Sequence, residues 1–205
     1  MSELELLRQQ IARIDHELLA ALLARRLAGR AISRYPEGCV ALPVAQGAAR
    51  QLFRDSRLTD GLRWCYLDRL RREYVRNVVA HGRARINPEV KLFQIDGLDQ
   101  CCLRLILKRM GCGVRVAEAK ACQEPARFEN AIRAGDHAAL WHQITRADVE
   151  QRVYDRVRSE ARSLGVRGRA GIEAWVHLYQ QWLVPLTKEA EVIALLGWRG
   201  PVGLV

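Results

Sequence analysis

Lysine is scarce in this chain of 205 residues: Lys91, Lys108, Lys120 and Lys188 are the only four among 33 basic side chains. The net charge of +10 invites a polyanion-binding reading. Yet a lysine run, a zinc-finger spacing and an aromatic RNA-binding strand are all missing from the sequence. The arginines instead alternate with acids along helical patterns, as in Asp68-Arg69-Leu70-Arg71-Arg72-Glu73. That spacing describes solvated helix faces with partners one turn away, so no nucleic-acid partner is expected. No uncharged apolar window reaches about 18 residues, which excludes a helical membrane span. Met1-Ser2-Glu3-Leu4-Glu5 is acidic and lacks an apolar core, so no signal peptide is expected. Six cysteines (39, 65, 101, 102, 112, 122) form no CxxC pair and have no histidine at zinc spacing. They read as reduced and mostly buried residues of a cytoplasmic protein, with no metal site.

What is present is helical periodicity. Leu4, Leu7, Ile11, Ile14, Leu18, Leu22 and Leu23 share one stripe, opened by Ser2 and Glu5 in a capping-box arrangement. This predicts a first long helix running to about Arg34, stopped by Tyr35-Pro36-Glu37-Gly38. Further helices are predicted at roughly 60–82, 90–122, 125–134, 136–143, 146–164 and 172–196, with Asn87-Pro88 as a turn. No strand-like alternation runs longer than a few residues. The fold class is all-α, a helical bundle in a single domain spanning 1–205.

The two long helices repeat each other. Gln10-Ile11-x-x-Ile14-Asp15 returns as Gln94-Ile95-x-x-Leu98-Asp99, and Leu19, Leu22 and Arg25 return as Leu103, Ile106 and Arg109. A constant offset through Ile, Asp and Arg points to a duplicated unit, about 1–86 and about 87–205. The copies differ in their polar residues. Leu92 stands opposite Arg8, and Pro36 opposite Lys120. Two equivalent sites of a symmetric ancestor thus reduce to one.

Several blocks resemble the chorismate mutases of the all-helical class, and within it the fungal and plant type. They are Leu7-Arg8-x-x-Ile11-x-x-Ile14-Asp15, Arg109-Met110, Val116-Ala117-Glu118-Ala119-Lys120, Ile144-Thr145 with Val149-Glu150, Tyr179, and Pro185-Leu186-Thr187-Lys188-Glu189-Ala190-Glu191-Val192. Between about 36 and 90 the match is to helical pattern only, and the chain is shorter than its fungal relatives. The resemblance implies a fused pseudo-dimer with one active site that rearranges chorismate, a small dianion, to prephenate without cofactor. Ala45, Ala48 and Ala49, near the expected second helix, fit the loss of the reciprocal site. It leaves a homodimer open. Phe93-Gln94 stands where a Gly-Ser pair is expected near the effector site, which weakens the expectation of aromatic amino-acid control.

The same resemblance implies residue roles. Arg8 and Arg109 would hold the substrate carboxylates, for which forked guanidinium donors are suited. Lys120 and a protonated Glu191 would donate to the ether oxygen, Glu150 would accept from the ring hydroxyl, and Thr187 would bind a carboxylate. Arg146 departs from the family pattern and would add a third anion contact or crowd the pocket. Taken without the family, each position has a plainer account. Arg8 is an exposed helix arginine, Arg109 a surface partner of Glu118 or Asp99, Lys120 a helix-end lysine, and Glu150 a first-turn glutamate favoured by the helix dipole. Thr187 and Glu191 lie four apart on one helical face, and Pro185 should bend the helix just ahead of them. Three rival functions keep their place: a mutase-like regulator with little activity, an isochorismate lyase on the same fold, and a basic polyanion binder.

Overall fold

In a computed structural model, residues 2–29, 35, 60–82 and 91–197 are described. Helices α1 (Glu3–Leu27), α2 (Asp60–Tyr74), α3 (Leu92–Gln123), α4 (Pro125–Ala134), α5 (His137–Ile144), α6 (Ala147–Ser163), α7 (Arg169–Leu178) and α8 (Val184–Leu196) follow in order. No strand occurs among the described residues. Pro36, Ala45, Ala48, Ala49 and the side chain of Leu92, on which the loss of a reciprocal site was argued, lie outside them.

The N-terminal cap forms as the sequence predicts. Ser2 Oγ accepts from Glu5 N–H at 3.3 Å while Glu5 Oε2 accepts from Ser2 N–H at 2.8 Å. The far end of α1 comes earlier than expected, at Leu27 rather than near Arg34. Gly29 takes φ 98, a left-handed conformation that ends a helix at little cost only for glycine. The turn sends the Gly29 carbonyl back onto Arg25, whose Nη1 donates to it at 2.8 Å.

Helices α1 and α3 form the central packing, and α8 lies against α3. The charges buried in it are reciprocal. Arg25 Nε donates to Asp99 at 2.5 Å, and Arg109 Nε donates to Asp15 at 2.7 Å. Each helix's arginine therefore meets the other helix's aspartate, with α1 and α3 antiparallel. This corrects the pairing of Arg109 with Asp99 or Glu118. Asp99 lies ten residues from Arg109 along one straight helix, about 15 Å of rise, and cannot reach it. Around these pairs Ile14, Leu18, Leu19, Leu22, Leu103, Ile106, Met110 and Tyr179 fill the main core. A smaller cluster of Phe128, Leu140, Ile144, Val192 and Leu195 ties α4 and α5 to α8 and the end of α3.

A π-helical turn follows α2 (Val75–Val79), and a second joins α7 to α8 (Tyr179–Leu183). The single helix predicted over 172–196 is thus two helices and a wide turn. The π-turn sits immediately before Pro185, where the missing N–H breaks the regular ladder. The cysteines divide evenly: Cys102 and Cys112 are buried, Cys101 and Cys122 exposed, all four free. Cys39 and Cys65 lie outside the side chains described.

At the Arg25 end the charge network is closed. Arg25 Nη2 donates to Tyr35 Oη at 2.8 Å, and the Tyr35 and Tyr74 hydroxyls both donate to Asp99. Burial opposes the charge on Arg25, but Asp99 and Tyr35 more than offset it and hold the guanidinium protonated. Asp99→Ala should therefore leave an unpaired cation in the core. A loss of about 3–5 kcal/mol in urea unfolding is expected. A change under about 1 kcal/mol would mean that this pair does not organise the helix crossing.

Candidate active site

One cavity of about 300 Å³ opens between α1, α3, α6 and α8, and Arg8, Arg109, Lys120, Arg146, Glu150, Thr187 and Glu191 all line it. The structure brings together residues separated by as many as 183 positions in the chain, from Arg8 to Glu191. Arg8 arrives exposed from the first turns of α1. Arg109 and Lys120 come from α3, three helical turns apart. Glu150 comes from the first turn of α6, and Thr187 and Glu191 from α8.

Arg109 is the most constrained of these. It is 4% exposed, its Nε holds Asp15, and its Nη1 donates to the Thr187 hydroxyl and to Leu183 O at 3.4 Å. Thr187 in turn donates to Leu183 O at 2.7 Å, which pins its rotamer. Tyr179 lies beneath the guanidinium, 5.8 Å from ring centre to Cζ. Asp15 also accepts from Arg156 Nη2 at 2.6 Å, so one buried carboxylate holds two cavity arginines.

Seven basic side chains line the cavity against two acidic ones, Glu150 and Glu191. Behind the lining, Asp15 and Asp148 add two more acids, Asp148 accepting from both Arg146 and Arg152. The cavity keeps an excess of positive charge, the electrostatic condition for an anionic ligand. Glu150 accepts from Lys188 Nζ at 3.0 Å, and that ammonium also sits 4.6 Å over the Trp141 ring.

Glu191 is the exception among the acids. Burial pushes its carboxyl up to about 7, although Lys120, Arg109 and Lys188 pull it down, and Glu150 adds a smaller upward push. Lys120 is shifted the other way. Burial lowers it, Glu191 supports its charge, and Arg8, Arg146 and Arg127 oppose it. A carboxyl raised toward neutral pH, when protonated, and a neighbouring ammonium are two hydrogen-bond donors facing one cavity.

The roles read from the sequence omitted Arg152, Arg156 and Lys188, and missed Asp15 as the anchor of Arg109. Arg152 and Arg156 are spaced at one helical turn beyond Asp148 and Arg152 on the Val149–Val153 face of α6, a signal at the same period. Nothing in the linear pattern tells a cavity arginine from a solvated one.

The fold and its cavity define a helical protein with a cation-rich cavity, and comparison with known proteins narrows the class. The chain superimposes on the crystal structure of a chorismate mutase from Candida albicans in complex with L-Trp, with a TM-score of 0.70 and 21% identity, over 93% of this chain and 89% of that one. Residues 93–192 match the family model described as chorismate mutase type II. Over 108 residues the chain is 33% identical to a chorismate mutase of Trichoderma parareesei, covering 48% of this chain and 41% of that protein. Over 128 residues it is 31% identical to the cytosolic chorismate mutase 2 of Zea mays, covering 51% of each. The matched stretches thus span about half or less of these relatives' length. The chain resembles the all-helical chorismate mutases of fungi and plants, and the type II match falls on residues 93–192. Arg8 lies outside that segment.

The pKa of Glu191 has a consequence for stability. A carboxyl raised above its ordinary 4.5 binds its proton more tightly in the folded chain. It therefore contributes stability at acid pH that is lost as pH rises through about 7. Urea unfolding of the wild type should weaken from about pH 5 to about pH 8, and Glu191→Gln should remove most of that slope. An unchanged slope in the variant would assign the titration to another group.

Proposed function

We propose that the protein is a chorismate mutase, an intramolecular isomerase that converts chorismate to prephenate in aromatic biosynthesis. One observation supports this above the others: a cation-rich cavity that Glu191 and Lys120 line together with Arg8 and Arg109. The reaction breaks one C–O bond and forms one C–C bond within a single substrate, so it needs no nucleophile and no cofactor. What it needs is a folded substrate conformer and donors at the oxygen where negative charge develops.

In this reading Arg8 and Arg109 take the two carboxylates. Asp15 and Thr187 already fix Arg109 through Nε and Nη1, so its geometry is set before substrate arrives. Thr187 completes the contact to a carboxylate. Lys120 and protonated Glu191 converge on the ether oxygen, and Glu150, steadied by Lys188, accepts from the ring hydroxyl. Arg146, held at the rim by Asp148, adds a further cation for the dianion. The two repeats, about 1–86 and about 87–205, act as one domain with one site. The charge network at Arg25 and Asp99 occupies the place of the second. The cytosolic Zea mays relative supports a cytoplasmic setting, and no described helix is long and apolar enough to cross a membrane.

Purified protein should consume chorismate, followed by loss of its ultraviolet absorbance, with prephenate as product and no effect of chelator. No turnover above background between about pH 5 and about pH 8 would remove this reading and favour a regulatory role.

Arg8→Ala should cost about 2–4 kcal/mol in kcat/KM, the scale of a lost charge-assisted donor. Because Glu191 donates only while protonated, kcat should fall as pH rises through about 7. Glu191→Gln keeps an uncharged N–H donor at every pH, so it should retain activity and flatten that fall. A wild-type alkaline limb in Glu191→Gln would move the ether-oxygen role elsewhere.

A further inference from the structure

Gly113 lies on α3 one turn beyond Arg109 and two turns before Lys120, buried on the strip that faces α8. A Cβ placed on it would stand 2.5 Å from Thr187 Cγ2 and 2.9 Å from Glu191 Oε1. We propose that Gly113 is a positioning residue for the active site: its missing side chain lets α8 seat Thr187 and Glu191 against α3. This inference rests on the chorismate reading of the same cavity.

The two neighbours respond differently to an added methyl. Thr187 is β-branched, and its hydroxyl is bonded to Leu183 O and to Arg109. Rotating it away from a new methyl breaks both bonds and frees one side of Arg109. Glu191 is flexible at its end and can swing aside, but the swing moves the very carboxyl that the reaction uses. Lys120, Arg109, Lys188 and Glu150 act electrostatically on that carboxyl, so its position decides which of them dominates. A moved carboxyl that gains water has a pKa closer to its ordinary 4.5. Helix propensity works the other way, since alanine favours a helix interior over glycine. Any loss from Gly113→Ala therefore arises between the helices and not within α3.

Gly97 supplies the control. It lies on the same helix, and a Cβ there meets nothing within 4 Å. The experiment compares Gly97→Ala, Gly113→Ala, Thr187→Ser and the double variant Gly113→Ala/Thr187→Ser. Folding is followed by thermal melting, kcat and KM across pH with chorismate, and the Glu191 carboxyl by carbon NMR titration. Gly97→Ala should match the wild type in kcat, KM and pH profile and should melt no lower. Gly113→Ala should fold, lose about tenfold or more in kcat, and show its alkaline limb and the Glu191 titration at lower pH. Thr187→Ser keeps the hydroxyl and removes Cγ2, so adding it to Gly113→Ala should restore at least about a threefold gain in kcat.

A folded Gly113→Ala with wild-type kcat and pH profile overturns the proposal. So does a double variant no more active than Gly113→Ala. If Gly113→Ala does not fold, the double variant carries the test, and its failure to fold as well reduces Gly113 to a packing residue and overturns the proposal. If the wild type does not turn over chorismate, the functional reading fails by itself. The Glu191 titration then decides the role of Gly113: a shift in Gly113→Ala upholds it, and no shift overturns it.

Discussion

The structure depends on the exchange of buried charges between two antiparallel helices. Arg25 crosses to Asp99 and Arg109 crosses to Asp15, with all four side chains almost fully removed from solvent. Neither partner of such a pair is tolerable without the other, because an unpaired ion in an apolar core is costly. The exchange therefore pins the register and the crossing of α1 and α3, with α6 packed on α1 and α8 on α3. A one-residue slip would break both pairs at once.

The two ends of this exchange differ. At the Arg25 end, Gly29 O, Tyr35 and Asp99 occupy the guanidinium, and Tyr74 adds a second hydroxyl to Asp99. The network is complete and inward-facing. At the Arg109 end, the anchor is Asp15, which also holds Arg156, and the second contact is a threonine on α8. That end stays open to a cavity. The same ion-pair chemistry thus serves stability at one end and the presentation of a cation at the other.

The cavity's electrostatics follow from crowding. Seven basic groups oppose two acidic ones along the lining, yet Glu191 is raised to about 7 in their midst. Burial outweighs the attraction of three named cations at that position. Glu191 sits where α3 and α8 approach each other closely, its carboxyl near Gly113.

Much of this was legible in the linear pattern. The apolar stripes and the Ser2–Glu5 cap depend on local spacing, so all-helical structure could be read directly. Residue types at matched motif positions also pointed to Arg8, Arg109, Lys120, Arg146, Glu150, Thr187 and Glu191, which the fold gathers around one cavity. Helix ends were less legible, because Gly29 stops α1 through a left-handed turn that follows a continuing apolar pattern. The π-turn before Pro185 was equally hidden, since its wider hydrogen bonding has no period of its own in the sequence. Only the tertiary structure decided which aspartate holds which arginine, which arginines face the cavity, and how closely Thr187 and Glu191 approach Gly113. Those are properties of contacts between helices distant in sequence, and charge pairing and close approach are set by distances in space that residue order does not contain.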